Sequence, residues 1–118
     1  MRRGAARFRL VGMTTHPLDR LFARIVARKD ADPNLSYTAK LLRQGPLKCA
    51  KKLGEEAVET SLAAVAQDKP ALANESADLL YHLLVLWAAC GIEPAEVYAA
   101  LAAREGSSGL DEKAARKN

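Results

Sequence analysis

The sequence predicts an all-α domain of about five helices that completes its core by pairing with a second copy. Three observations predict it. Hydrophobic residues make up 49% of the 118 positions but aromatics only 5%, with Ala and Leu dominating the centre. That composition favours helices packed through small and branched aliphatic side chains over a sheet. Apolar residues recur at i, i+3, i+4 spacing in segments punctuated by Gly and Pro. A chain this short buries limited apolar surface alone, and dimerisation is the usual remedy.

The elements follow in order. The first helix is expected over 17–29, with Leu18, Leu21, Phe22, Ile25 and Val26 on one face. Asp30, Asp32, Pro33 and Asn34 form a turn, and Ser36 is placed to cap a short helix ending near Arg43. Gly45 stops that helix and Pro46 begins a long one, reaching to about Gln67. Asp68-Lys69-Pro70 starts a fourth helix running to Cys90, closed by Gly91. Pro94 opens a fifth, ending near Arg104.

The formal charge of +4 belongs to the N-terminus. Arg2, Arg3, Arg7 and Arg9 carry it, leaving residues 13–118 balanced at 14 basic against 14 acidic. The expected organisation is a disordered basic leader at 1–12, a helical domain at 13–106 and a polar tail at 107–118. Met13 is a plausible start, so a chain beginning there is expected to keep its activity. No clustered basic face with reading elements appears, so nucleic acid is not an expected partner. No run reaches the roughly 18 apolar residues of a membrane span, and no secretory signal follows the arginines. Cys49 and Cys90 are solitary, which suits two reduced thiols in a cytoplasmic protein.

The chemistry sits on the third and fourth helices. At about 100° per residue, Glu59 lies about 40° and Glu56 about 100° from Glu55, and Lys48 and Lys52 share their wedge. Leu53, Ala57, Ala64 and Val65 lie opposite, with Val58 at the edge, and read as the apolar face. Taken alone, the acidic stripe is as well explained by a solvated helix face. The fourth helix carries Leu72, Leu79, Leu80, Leu83, Leu84, Val85, Leu86 and Trp87 around nearly its whole circumference, which marks a buried helix. Within it, Glu75 and Asp78 sit at i, i+3. Ionised carboxylates in apolar surroundings are costly unless paired or metal-bound. An ExxE on one helix and an ExxD on the next therefore point to a divalent cation between them, and oxygen-only donors point to magnesium or manganese. His82 reads as a hydrogen-bonded core or interface histidine, since the Glu-x-x-His spacing of di-iron bundles is absent. GPLKCAKK lacks a P-loop frame, and no nucleophilic triad can be assembled.

Three segments, Ser36–Leu42, Lys51–Glu59 and Glu75–Val85, with Ser108-Gly109-Leu110 and the basic tail beyond, resemble the phosphoribosyl-ATP pyrophosphohydrolase family over roughly residues 18–117. The wider relatives are MazG-like all-helical nucleotide pyrophosphohydrolases. The resemblance implies a MazG-like helical protomer pairing into a homodimeric bundle. It implies hydrolysis of 1-(5-phosphoribosyl)-ATP between its α and β phosphates, the second step of L-histidine biosynthesis, by metal-activated water. Carried over by motif, Glu56, Glu59, Glu75 and Asp78 hold magnesium (or manganese), and Glu55 is a further ligand or the water-orienting base. Lys52 is the first choice to steady the pyrophosphate, with Lys48, Lys51 and Lys40 behind it. Arg104 and the tail residues Lys113, Arg116 and Lys117 are candidates for clamping phosphate or ribose, though solvated charges explain them equally well. Two alternatives stay open: a house-cleaning nucleoside triphosphate pyrophosphohydrolase using the same carboxylates, and a catalytically silent helical dimerisation module.

Overall fold

The computed structural model describes residues 16–105. The expectations for the leader at 1–12, the start at Met13 and the tail, including Lys113, Arg116 and Lys117, fall outside the described residues. Within them are five helices and no strand: α1 Pro17–Ala27, α2 Tyr37–Gln44, α3 Pro46–Val65, α4 Lys69–Cys90 and α5 Pro94–Ala102.

Each boundary has a local cause. Ser36 Oγ accepts from the Ala39 amide at 3.1 Å and starts α2, and Asp68 Oδ1 accepts from Ala71 at 3.0 Å and starts α4. Gly45, at φ +93°, turns the chain between α2 and α3, where Pro46 supplies a pre-set first residue. Gly91 ends α4 in the left-handed region. The link from α3 to α4 is only Ala66–Asp68. There Gln67 takes the left-handed conformation, while the Gln67 and Asp68 amides bond back to Ala64 and Ala63. This is the same helix-closing pattern as at Gly91, adopted by a residue that has a Cβ.

The short link makes α3 and α4 an antiparallel hairpin, and Thr60 fixes its register. Its hydroxyl donates to the Glu56 carbonyl at 2.8 Å, with the Glu75 carbonyl across the seam as a second acceptor at 3.1 Å. The other helices close over one end of the hairpin. Phe22 and Ile25 of α1, Leu41 of α2, Cys49 of α3 and Leu84 and Val85 of α4 form the buried core. Burying each large side chain there contributes about 1.5–3 kcal/mol. Tyr98 of α5 donates to Asp19 of α1 at 2.8 Å, tying the last helix to the first.

Two expectations about packing need correction. The buried face of α3 is not the one carrying Ala64, Val65 and Val58, all of which are exposed. The helix packs through Cys49, Lys52, Leu53, Glu56, Thr60 and Ala63, so the polar stripe lies partly in the seam. Nor is α4 buried all round: only His82, Leu84 and Val85 are fully enclosed, while Leu80 is 40% exposed and Asp78 lies at the surface. The physical reason is the number of helices. Within this chain α1 and α2 cover only the C-terminal half of α4 and the N-terminal half of α3.

Candidate metal and substrate site

The uncovered half of the hairpin carries the carboxylates. The register set by Thr60 puts Glu56 of α3 level with the Glu75–Asp78 turn of α4. One oxygen from each of Glu56, Glu75 and Asp78 lies within 4.8 Å of the other two. Glu56 and Glu75 are half-buried, and each keeps one carboxylate oxygen out of solvent with no hydrogen-bond partner among the described residues. Asp78 faces solvent and leaves the cluster open on one side.

The electrostatics follow from this crowding. The Glu75 carboxyl is pushed above the ordinary glutamate range, first by burial and then by Glu59, Asp78 and Glu56, with a hydrogen bond that the protonated Glu75 donates to Glu59 adding to the shift. Glu59 therefore stands beside Glu75, at the margin of the cluster and outside its tightest group. Lys52 does not neutralise the cluster, because it pairs with Glu55 at 3.3 Å, and that hydrogen bond raises its pKa. Glu55 is thus engaged with Lys52 and is not one of the three clustered carboxylates. Three hard oxygen donors, converging with two buried unpartnered oxygens among them, suit a divalent cation.

The lysines gather next door. Lys40, Lys48, Lys51 and Lys52 line a groove of about 300 Å³ with Tyr37 and Glu55. Tyr37 and Lys40 also line an adjoining hollow of about 490 Å³ that runs past Pro33 and Leu35. Arg104, the remaining predicted contact, follows α5 and is not among the groove's lining residues. A larger cavity of about 560 Å³ lies between α1, α2 and the end of α4, with Phe22, Leu42 and Ile92 in its walls, and holds none of the predicted site residues.

Several residues at the site were not singled out by sequence. Thr60 was visible only as a residue one turn beyond Glu56, and nothing local announces that its hydroxyl bridges two helices. Tyr37 stacks on Tyr81 at 6.5 Å between ring centres, and the Tyr81 hydroxyl is hydrogen-bonded to Thr38. The sequence placed His82 in the core, which holds, but its Nδ1 has no hydrogen-bond partner among the described residues.

The phosphoribosyl-ATP pyrophosphohydrolase family profile matches residues 18–105. A phosphoribosyl-ATP pyrophosphatase of Azospirillum brasilense is 63% identical over 101 residues, covering 86% of this chain and 91% of that protein. That of Parvibaculum lavamentivorans is 65% identical over 99 residues, covering 84% and 91%. One from Cereibacter sphaeroides is 60% identical over 99 residues, covering 84% and 96%.

Proposed function

The chain belongs to the phosphoribosyl-ATP pyrophosphohydrolase family, and on that premise we propose how its residues carry out the family's reaction. The protein is a hydrolase that cleaves phosphoribosyl-ATP to phosphoribosyl-AMP and pyrophosphate in histidine biosynthesis. The observation that carries the assignment of residues is the convergence of Glu56, Glu75 and Asp78 within 4.8 Å beside a groove lined by four lysines.

Glu56, Glu75 and Asp78 hold a magnesium ion, with Glu59 completing the set from its position beside Glu75. Manganese has the same donor preference and can stand in for it. When bound, the ion supplies Lewis-acid neutralisation of charge at the phosphoanhydride. Glu55 orients the attacking water and accepts its proton. The water oxygen bonds to the α-phosphorus, the bond from that phosphorus to the bridging oxygen breaks, and pyrophosphate departs. Lys52, Lys48, Lys51 and Lys40 bind the leaving group's negative charge in the groove. Such electrostatic positioning is the main catalytic resource in phosphoryl transfer.

The reading includes a homodimer. A stripe of Leu47, Val58, Leu62 and Val65 runs along α3 on the side away from α4, each at least 58% exposed. A second copy of the chain covers this stripe, from Leu47 to Val65, on the face of α3 opposite the seam with α4. Sedimentation giving a stable folded monomer at micromolar concentration would overturn the pairing. No single described helix is long and apolar enough to cross a membrane, and a cytoplasmic location suits a biosynthetic enzyme of this family.

Pyrophosphate release from phosphoribosyl-ATP, measured with magnesium and in chelator, tests the whole reading. Release is expected only with the metal. Equal turnover in chelator would remove the metal from the mechanism.

A further inference from the structure

His82 is 6% exposed, and its Nδ1 is buried with no hydrogen-bond partner among the described residues. A buried imidazole nitrogen left in that state is costly, so a retained one calls for an explanation. Packing alone does not need the nitrogen. The ring meets Tyr81 edge-on at 5.0 Å and Tyr37 at 6.1 Å, contacts that a phenyl ring makes equally well.

Register says which residues of α3 lie level with the ring. With Thr60 of α3 level with Glu75 of α4, two turns along the antiparallel pair bring His82 level with Leu53, between Lys52 and Glu56. It also sits one turn from Asp78 on the same side of α4. Burial, the largest influence, favours the neutral ring, and the charges that act on it come from the same neighbourhood: Glu56 first, then Lys52, which also favours the neutral form, then Asp78 and Glu55. Across the seam, Glu56 Oε1 is likewise buried and unpartnered. Two facing helices thus each present one orphaned polar atom to the same stretch of seam.

We propose that His82 is a positioning residue for the hydrolysis: its Nδ1 and Glu56 Oε1 share one hydrogen-bonded water, which holds the Glu56 carboxylate with its other oxygen turned to Glu75 and Asp78. A neutral imidazole serves either way, as donor to the water or as acceptor from it, because the water can donate to the ionised carboxylate in both cases. Fixing one carboxylate oxygen in this way removes rotamer freedom that a flexible glutamate otherwise loses on binding an ion. The inference rests on reading Glu56, Glu75 and Asp78 as the metal centre.

The test compares His82→Phe, which keeps the ring contacts without the nitrogens, with His82→Asn, whose amide reaches close to the position of Nδ1. Manganese binding is measured by electron spin resonance, alongside pyrophosphate release against magnesium concentration and thermal unfolding in chelator. For His82→Phe the expected outcome is metal binding weakened about 10-fold or more, a typical consequence of losing such a support. Its melting temperature in chelator should be equal or higher, and KM for the nucleotide little changed at saturating metal. His82→Asn should recover most of the binding. Wild-type manganese affinity in His82→Phe overturns the inference, as does equal impairment of both variants accompanied by a lowered melting temperature. Glu56→Gln in the same assays separates the two levels. If it too binds manganese normally, the metal-centre reading fails; if it alone loses binding, only the role of His82 fails.

Discussion

The two ends of the α3–α4 hairpin are built from the same two helices and behave as opposites. At the end covered by α1 and α2, Cys49, Leu84 and Val85 are all at most 1% exposed and meet Phe22, Ile25 and Leu41. There the Cys49 thiol of α3 is satisfied locally, donating to the Leu41 carbonyl at 3.3 Å. At the end near the Ala66–Asp68 link, the seam holds Glu56 and Glu75 with unpartnered oxygens, and Val58, Leu62 and Val65 face outward. The covered end supplies stability, and the open end holds like charges together at a cost the covered end offsets. Stability and chemistry should therefore separate along a single pair of helices.

The largest expected effect comes from Asp78→Asn, at the open end. It keeps the shape of the side chain and removes one charge from the cluster. Pyrophosphate release should fall by roughly a hundredfold or more, the scale on which lost transition-state charge stabilisation is felt. Unfolding in chelator should show stability unchanged or slightly raised, because one repelling carboxylate has gone and Asp78 lies at the surface. A variant that is less stable yet fully active would mean that Asp78 serves the fold.

Leu84→Ala, at the covered end, should do the reverse. A fully buried leucine truncated to alanine costs about 2–5 kcal/mol. Denaturant unfolding should register that loss, while kcat at a temperature well below the new melting point stays near wild type. A large drop in kcat with the fold intact would join the two ends and remove the contrast.

A smaller effect tests the tie between α1 and α5. Burial, and then the bond to Asp19, push the Tyr98 hydroxyl up to about 12. A raised acid favours the folded state while protonated, so this contribution is complete below about pH 10 and lost as pH rises through 12. Wild type should lose stability across that alkaline window more steeply than Tyr98→Phe, with pyrophosphate release at neutral pH the same in both. Parallel alkaline melting curves would mean that the bond contributes nothing to folding.

The helices were legible because each has a visible start and stop: Ser36, Gly45-Pro46, Asp68, Gly91 and Pro94 mark the boundaries. Spacing also singled out Glu56, Glu75 and Asp78, whose carboxylates the fold brings within 4.8 Å of one another. The packing face of α3 was not legible. That helix has apolar residues on two sides, and periodicity alone ranked Ala64 and Val65 above Cys49 and Ala63 although only the second pair is buried. Burial of α4 was overestimated for a related reason: an all-round apolar pattern reports every surface a helix will cover, including any that a second chain provides. The bridging hydroxyl of Thr60 and the orphaned nitrogen of His82 depend on register between helices, which no single segment encodes.

The three-residue link between α3 and α4 has a consequence for how the molecule assembles. Glu56, Glu75 and Asp78 all belong to one stretch, residues 56–78, so they meet as soon as the hairpin closes and need no contact distant in sequence. Helical hairpins of such low contact order form early and fast, which places the mutual repulsion of the carboxylates on the folding route itself. A divalent cation present during folding would then lower the barrier as well as deepen the native state, making the ion an accelerator of folding.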